Sequence, residues 1–118
     1  MNIGQVARAS GVRTKVIRRY EAMGLLPAAR RDERGYRVYD AEDVHALRFI
    51  WNARAAGLSV PSVAGMLDLW RDRQRDDAEV RRLALSYAAA LQEKAAAIVA
   101  VGRALRPFLD ERRDSHQT

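Results

Sequence analysis

The segment that decides the fold is TKVIRRYEAMGLLP, residues 14–27. Val16, Ile17 and Tyr20 recur at the three- and four-residue spacing of a helix that turns one side inward. Gly24 stands where a left-handed residue commonly ends a helix, and the Leu-Leu-Pro that follows prevents continuation. The segment therefore predicts a short helix with an apolar inner side and a basic outer side.

A second short helix is predicted immediately before this segment. Asn2 can cap it, and Ile3, Val6 and Ala7 form its apolar positions. The Ser-Gly pair that ends at Gly11 then indicates a turn. Two short helices joined by a tight turn that contains glycine form a helix-turn-helix pattern.

Residues 30–39 change the pattern from helical to strand-like. The last four of them, YRVY, alternate at a period of two and are aromatic or β-branched at three positions. The polar stretch before them contains Gly35 and suits a hairpin connection. We therefore predict a basic two-stranded wing after the helix-turn-helix.

Two further helices are predicted after the wing. Asp40 and Asp43 resemble a capping box at the start of the first, which is expected to end at Gly57. Ser59 is expected to cap the second, with Pro61 tolerated in its first turn. The side chains expected to face inward are Val44, Leu47, Ile50 and Trp51 in the first helix and Val63, Met66, Leu67 and Trp70 in the second.

The C-terminal third contains a heptad seam. From residue 80 its positions recur at alternating spacings of four and three without a slip, and only Lys94 among them is charged. A second copy of the chain is the simplest partner for this helix; a helix that folds back onto the N-terminal part is the alternative. The seam positions predicted to form dimer contacts are Val80, Ala84, Tyr87, Leu91, Ile98, Val101, Leu105 and Phe108.

These elements predict a mostly α fold, a winged helix-turn-helix with a small β-hairpin wing and a long C-terminal dimerisation helix. We expect the winged domain at residues 1–70, a polar linker at 71–78, the dimerisation helix at 79–111 and a flexible tail at 112–118.

The positive charge is confined to the first third of the chain. Residues 1–39 contain nine Lys or Arg and three Asp or Glu, whereas residues 40–118 contain 12 of each sign and balance to zero. A basic segment on an otherwise neutral chain is typical of a protein that binds a polyanion such as nucleic acid.

Composition excludes several other classes. The chain has no cysteine, so it contains no disulfide, thiolate nucleophile or cysteine-ligated zinc. It shows no paired carboxylates, activated nucleophile or phosphate loop, and we expect no enzymatic activity and no evident cofactor. No apolar run approaches the ~20 residues of a membrane span, and the N-terminus lacks a signal-peptide pattern, which favours a cytoplasmic protein without a membrane partner.

The basic outer side of the second helix suits the major groove of DNA. Arg18 is placed to read a guanine edge, whereas Lys15 and Arg19 suit phosphate contacts. Arg34 and Tyr36 of the wing would reach the flanking backbone or the minor groove. The alternatives are ordinary surface charges or, in another class, a coiled-coil adaptor whose basic domain binds protein or RNA.

The chain resembles the MerR-type transcription regulators. The resemblance rests on NIGQVA at residues 2–7, IRRYE at 17–21 followed by GLLP at 24–27, and Arg30-Arg31 leading into GYRVY at 35–39. The LWRD and DDAEV stretches, residues 69–72 and 76–80, are most similar to the copper-efflux, CueR-like branch.

The resemblance implies a homodimer on an antiparallel pair of C-terminal helices. Family members bind pseudo-palindromic promoters with an overlong spacer, distort that DNA and control initiation by RNA polymerase. By position, the resemblance also places Tyr20 in the recognition helix and Arg54 at a backbone-contacting site. The complete set of candidate DNA-binding residues is Arg13, Thr14, Lys15, Arg18, Arg19, Tyr20, Arg31, Arg34, Tyr36, Arg37 and Arg54.

The chain departs from the family at the effector end. The metal-sensing branches carry a cysteine pair after the dimer helix, and this chain has none, so a soft metal held by thiolates is not expected. A thin set of oxygen and nitrogen ligands, Asp77, Asp110, Glu111, Asp114 and His116, is more readily explained as a solvated tail. An interface pocket near Trp70, Tyr87 and Phe108 is the other possibility, and the effector stays unknown. Because Arg13 replaces a serine that is common in the family, Thr14 is expected to cap the recognition helix.

Overall fold

A computed structural model describes residues 1–27, 30–72 and 74–117, with side chains to residue 113. The chain divides into two compact units, Met1–Arg73 and Gln74–Thr118. The division falls inside the predicted linker. In chain order the elements are α1 (Ile3–Ser10), α2 (Thr14–Ala22), β1 (Arg30–Arg31), β2 (Arg37–Val38), α3 (Ala41–Ala55), α4 (Val60–Arg71) and α5 (Asp77–Gln117).

Helices α1 and α2 form the predicted helix-turn-helix. The Asn2 side chain accepts a hydrogen bond from the Gln5 N–H at 2.8 Å, and the Gln5 side chain accepts one from the Asn2 N–H at 2.8 Å. Gly11 ends α1 with a φ of +77°, which glycine adopts without strain. The prediction that Thr14 caps α2 is wrong, because Arg13 holds the N-cap position and no side chain caps it.

Helices α1–α4 enclose the core of the first unit, and both predicted caps after the wing are confirmed. Asp40 and Asp43 form a capping box at α3, and Ser59 accepts a hydrogen bond from the Ser62 N–H at α4. The largest fully buried side chains are Val6, Val12, Ile17, Leu25, Leu47, Ile50, Val63 and Leu67.

Two tryptophans predicted to face inward are exposed instead. Trp51 is 49% exposed because the buried stripe of α3 runs through Ala46, Ile50 and Ala53, and Trp51 lies beyond its edge. Trp70 is 61% exposed and contacts the partly buried Phe49 edge to face, with ring centroids 5.5 Å apart. For both α3 and α4 the centre of the apolar stripe was predicted correctly, but the predicted stripe was too wide.

The wing is an antiparallel pair in which Arg30 lies opposite Val38 and Arg31 opposite Arg37. Each strand has only two residues, so the predicted strand over residues 36–39 is shortened at both ends. Gly35, at a φ of +82°, lies in the connection as predicted.

Helix α5 forms the second unit and is longer than predicted. It begins at Asp77 rather than residue 79 and continues to Gln117 through the stretch expected to be a flexible tail. The seam side chains at Ile98, Val101, Leu105 and Phe108 are 56–66% exposed in the single chain. By length and composition Asp77–Arg113 would also suit a membrane span, a test that long apolar helices of other kinds pass as well. Its exposed seam matches the heptad pattern of a coiled-coil helix.

Candidate nucleic-acid interface

The outer side of α2 carries four exposed basic side chains. Arg13, Lys15, Arg18 and Arg19 are exposed, and none of them forms an ion pair with another described residue. Thr14 is half-buried at the start of the same side. Because Ile17 on the opposite side is fully buried, the orientation of α2 is set by the core, and its basic side chains face outward.

The wing tip is held by hydrogen bonds within the turn. The Asp32 carboxylate oxygen Oδ1 accepts from the main-chain N–H groups of Arg34, at 2.9 Å, and Tyr36, at 3.0 Å. The Arg31 guanidinium donates to the Gly35 carbonyl at 2.8 Å. This network leaves the Arg34 side chain exposed without an ion pair to a described residue and leaves Tyr36 68% exposed.

The base of the wing is anchored through Tyr39, which is buried. Its main-chain N–H donates to the Met1 carbonyl at 2.7 Å, and its carbonyl accepts from the Met1 amino group at 2.7 Å. Its hydroxyl donates to a carboxylate oxygen of Glu21 on α2. Burial raises the pKa of the Tyr39 phenol, and the hydrogen bond to Glu21 raises it further.

Glu21 also pairs with Arg37 on β2. The Arg37 guanidinium donates to Oε2 of Glu21, and the Tyr39 hydroxyl donates to Oε1, so each carboxylate oxygen has a partner on the wing. The predicted DNA-contacting residue Arg37 is therefore ion-paired within the protein, whereas Arg34 and the basic residues of α2 form no ion pair with a described residue.

A second ion pair connects β1 to α3. The Arg30 guanidinium donates to Oδ2 of Asp40, whose Oδ1 caps α3 through the Asp43 N–H. The Asp43 N–H holds the pKa of Asp40 below its usual value, and Arg30 lowers it further. The pKa of Asp43 is raised, chiefly by burial. The wing is thus tied at one strand to α2 and at the other to α3.

Tyr20 and Arg54 lie where the resemblance places them, in α2 and in the last turn of α3, but they differ in exposure. Tyr20 is only 5% exposed, so its ring is a core side chain and little of it remains for DNA. Burial raises the pKa of Tyr20, and the charges of Arg54 and Arg19 oppose that rise. Arg54 is exposed and donates to the Leu58 carbonyl at 3.0 Å, which keeps it at the C-terminal end of α3.

Glu21 and Asp32 organise the wing and were not among the residues predicted from the sequence. A signal for Glu21 was present, because an acidic side chain in the last turn of α2 opposes the helix dipole and indicates a partner elsewhere in the fold. For Asp32 the signal was its place at the start of the predicted turn. There an aspartate side chain commonly accepts a hydrogen bond from the main-chain N–H two residues later.

The described residues contain no group of three or more His, Cys, Asp or Glu side chains that could hold a metal ion. Of the thin ligand set considered above, the side chains of Asp114 and His116 lie outside the described residues. Within the first unit, exposed Trp70 lines an open cleft of about 540 Å³ together with Pro27, Asp43 and His45.

Family profiles cover almost the whole chain. A profile described as MerR HTH family regulatory protein matches residues 1–70, and one described as MerR, DNA binding, matches residues 44–107.

Two curated relatives carry regulator names. The chain is 46% identical over 106 residues to heavy metal-dependent transcription regulator 2 of Rhizobium meliloti, a match covering 90% of this chain and 72% of the relative. It is 34% identical over 93 residues to the HTH-type transcriptional regulator CueR of Escherichia coli O6:H1, covering 79% of this chain and 69% of the relative. The predicted likeness to the CueR-like branch is therefore present at modest identity.

Solved structures show the same fold. A protein described as a MerR family transcriptional regulator from Listeria monocytogenes superposes with a TM-score of 0.75 at 30% identity, covering 100% of this chain and 86% of that one. HiNmlR, described as a MerR family regulator lacking the sensor domain and bound to promoter DNA, gives 0.68 at 24% identity, covering 89% and 77%.

Proposed function

The chain belongs to the MerR family of DNA-binding transcription regulators, and we propose that it acts as a homodimer on a pseudo-palindromic promoter. The dimer distorts the spacer of that promoter and so controls initiation by RNA polymerase. Such regulation takes place in the cytoplasm, where promoter and polymerase meet. The family consists of transcription regulators, and we assign no catalytic activity to this chain.

One observation carries the proposal: a basic helix side without ion pairs to described residues and a wing anchored at both strands are built into the same unit. The exposed charges of α2 suit a major groove, and Arg18 is the candidate for reading a base edge. The wing, held by Glu21 and Asp40, presents Arg34 and Tyr36 to the flanking backbone.

The exposed seam of α5 supports the dimer. Large apolar side chains at Leu91, Ile98 and Leu105 are at least 36% exposed, which a single chain leaves uncovered. A second copy in antiparallel orientation covers the seam with an identical one. A symmetric dimer in turn requires two half-sites related by the same symmetry, which explains the pseudo-palindrome.

The effector is not assigned. The relatives named for heavy metals and for copper efflux share this chain's helix-turn-helix, but the chain itself has no cysteine to bind Cu(I) or Ag(I) as a thiolate. We expect neither ion to change its affinity for DNA. Fluorescence of the two exposed tryptophans, with Trp51→Phe to isolate the signal of Trp70, provides a readout for screening other ligands.

The test of DNA recognition is selection of binding sites from a random duplex library by the purified protein. We expect an inverted repeat, with affinity that falls steeply as salt rises because phosphate contacts release counterions. Selection of no consensus, or equal affinity for RNA, would support the basic adaptor instead.

Arg18→Ala tests the recognition helix within the selected site. We expect a loss of about 1–3 kcal/mol and loss of preference at one base pair of each half-site. Arg103→Ala removes the same charge from an exposed position of α5 and is the matched control. Base preference that survives Arg18→Ala would show that another residue reads the operator.

A further inference from the structure

The junction between α2 and the wing depends on one carboxylate. The Glu21 side chain is 11% exposed, and both of its oxygens accept hydrogen bonds from the wing, one from Arg37 and one from the Tyr39 hydroxyl. No other described acidic residue of α2 or the wing joins these two elements.

Local helix formation does not account for Glu21. It lies in the last turn of α2, where the dipole of the helix disfavours negative charge. Its contribution to the fold is therefore the contact with the wing. That contact sets the distance between the two parts of the protein that face DNA.

The pairing also changes the charge that the wing presents. Arg34 and Arg18 are exposed without an ion pair to a described residue, whereas the Arg37 charge is compensated by Glu21. A phosphate that approaches the wing must compete with Glu21 for this guanidinium.

We infer that Glu21 is a specificity-determining positioning residue that fixes the wing relative to α2 and withholds the charge of Arg37 from the phosphates of non-operator DNA. This inference rests on the proposed function, because it concerns discrimination between operator and other duplexes. Binding to non-operator DNA depends almost entirely on phosphate contacts, so withholding one of them weakens that binding selectively.

The variant Glu21→Gln tests the inference because it keeps the shape of the side chain and removes its charge. We expect affinity for a random duplex to rise about five- to tenfold at ~0.1 M salt, and the slope of log affinity against log salt to steepen by about 0.9, the effect of one added phosphate contact. We expect affinity for the operator to rise less, because operator binding also requires the wing position that Glu21 holds, so the ratio of operator to random-duplex affinity falls.

Glu33→Gln is the matched control. It removes one negative charge from an exposed position in the wing turn that has no ion pair to a described residue. We expect it to leave the ratio of operator to random-duplex affinity unchanged. Equal effects of the two variants on that ratio would overturn the inference, because net charge alone would then explain the result.

Arg37→Gln provides a second test, whose result as a single variant does not depend on whether the Glu21→Gln protein folds. We expect it to leave the salt slope on a random duplex unchanged, and to abolish the steeper slope when combined with Glu21→Gln. A slope that is shallower by about 0.9 in Arg37→Gln alone would show that Arg37 already contacts a phosphate and would refute the inference. A wild-type protein without operator preference would instead refute the proposed function.

Discussion

Tyr39 shows, at the scale of a single residue, how burial holds an exposed surface in place. Its main chain bonds to Met1 in both directions, and its hydroxyl reaches Glu21 across the junction with α2. Its ring is almost fully buried, so the exposed wing has one end inside the core.

The raised pKa of Tyr39 predicts an alkaline dependence of stability. A group whose pKa is higher in the folded state than its ordinary value of 10.0 contributes stability below that pH, and the contribution is lost as the pH rises through the folded value. Tyr39→Phe removes one hydrogen bond, which predicts a lower stability near neutral pH by roughly 0.5–1.5 kcal/mol. We also expect it to lose less stability than the wild type above pH 10.0.

Urea unfolding on both sides of that pH measures the difference. Tyr36→Phe, which removes an exposed hydroxyl from the same wing, is the control and should follow the wild type. If Tyr39→Phe and the wild type lost the same free energy of unfolding at alkaline pH, the Tyr39 hydroxyl would not be the source of the dependence.

Single residues were predictable from the sequence where their signal is local. Asn2 and Asp40 are predicted to be caps from neighbours within five residues, and both predictions are confirmed. Trp51 and Trp70 were misplaced because periodicity locates the centre of an apolar stripe and not its edge. The partners of Glu21 are 16 and 18 residues away, a separation that no local pattern reports.

At the scale of elements, α5 is the one whose partner remains to be tested. The seam positions alternate between heptad positions a and d, and in an antiparallel pair an a position of one helix faces a d position of the other. Allowed registers therefore differ from one another by seven residues. One of them places Ala84 against the partner's Phe108 and Leu91 against the partner's Val101. Of the two neighbouring registers, one places Asp77 against the partner's Phe108, which buries a carboxylate beside an aromatic ring. The other places the seam residue Tyr87 against the partner's Arg112, beyond the seam.

Disulfide cross-linking tests this register. Because the chain has no native cysteine, only the introduced cysteines can form a disulfide. We expect a mixture of Leu91→Cys and Val101→Cys chains to form a mixed disulfide faster than either variant cross-links with itself. The reason is that two copies of position 91 would lie about 15 Å apart along the axis, at ~1.5 Å per residue. Rapid self-linking of each variant would instead indicate a parallel pair.

Element types and order were predictable throughout, and element ends less so. The wing strands are shorter than the alternating YRVY pattern, because only residues 37 and 38 of that pattern lie in the strand. Helix α5 continues to Gln117 because its last turns contain no glycine and no residue that interrupts it, and even Pro107 is accommodated within it.

At the scale of the whole molecule, the two units predict separable defects. Leu91→Asp or Ile98→Asp places a charge in the seam without touching the first unit, so we expect folded monomers by light scattering. Each monomer should bind a single half-site, with affinity for the full operator reduced by a factor of about 10² or more because the second contact is no longer intramolecular.

Leu85→Asp is the control for these variants, since Leu85 is exposed on α5 outside the seam. It should remain dimeric and keep its affinity for the operator. A Leu91→Asp protein that stays dimeric would exclude the seam as the interface. The effector, in contrast, could not be predicted from the sequence, because cysteine, the ligand that marks the metal-sensing branches, does not occur in this chain.

The hydrogen bonds that close the wing tip on Asp32 have a kinetic consequence. A loop that must order itself on DNA gives up conformational entropy at the moment of encounter, whereas this turn is already closed by its own main-chain donors. The rate at which the wing tip reaches the DNA backbone should therefore be limited by diffusion and electrostatic attraction rather than by rearrangement of the turn. Sequences that differ in affinity would then differ mainly in residence time.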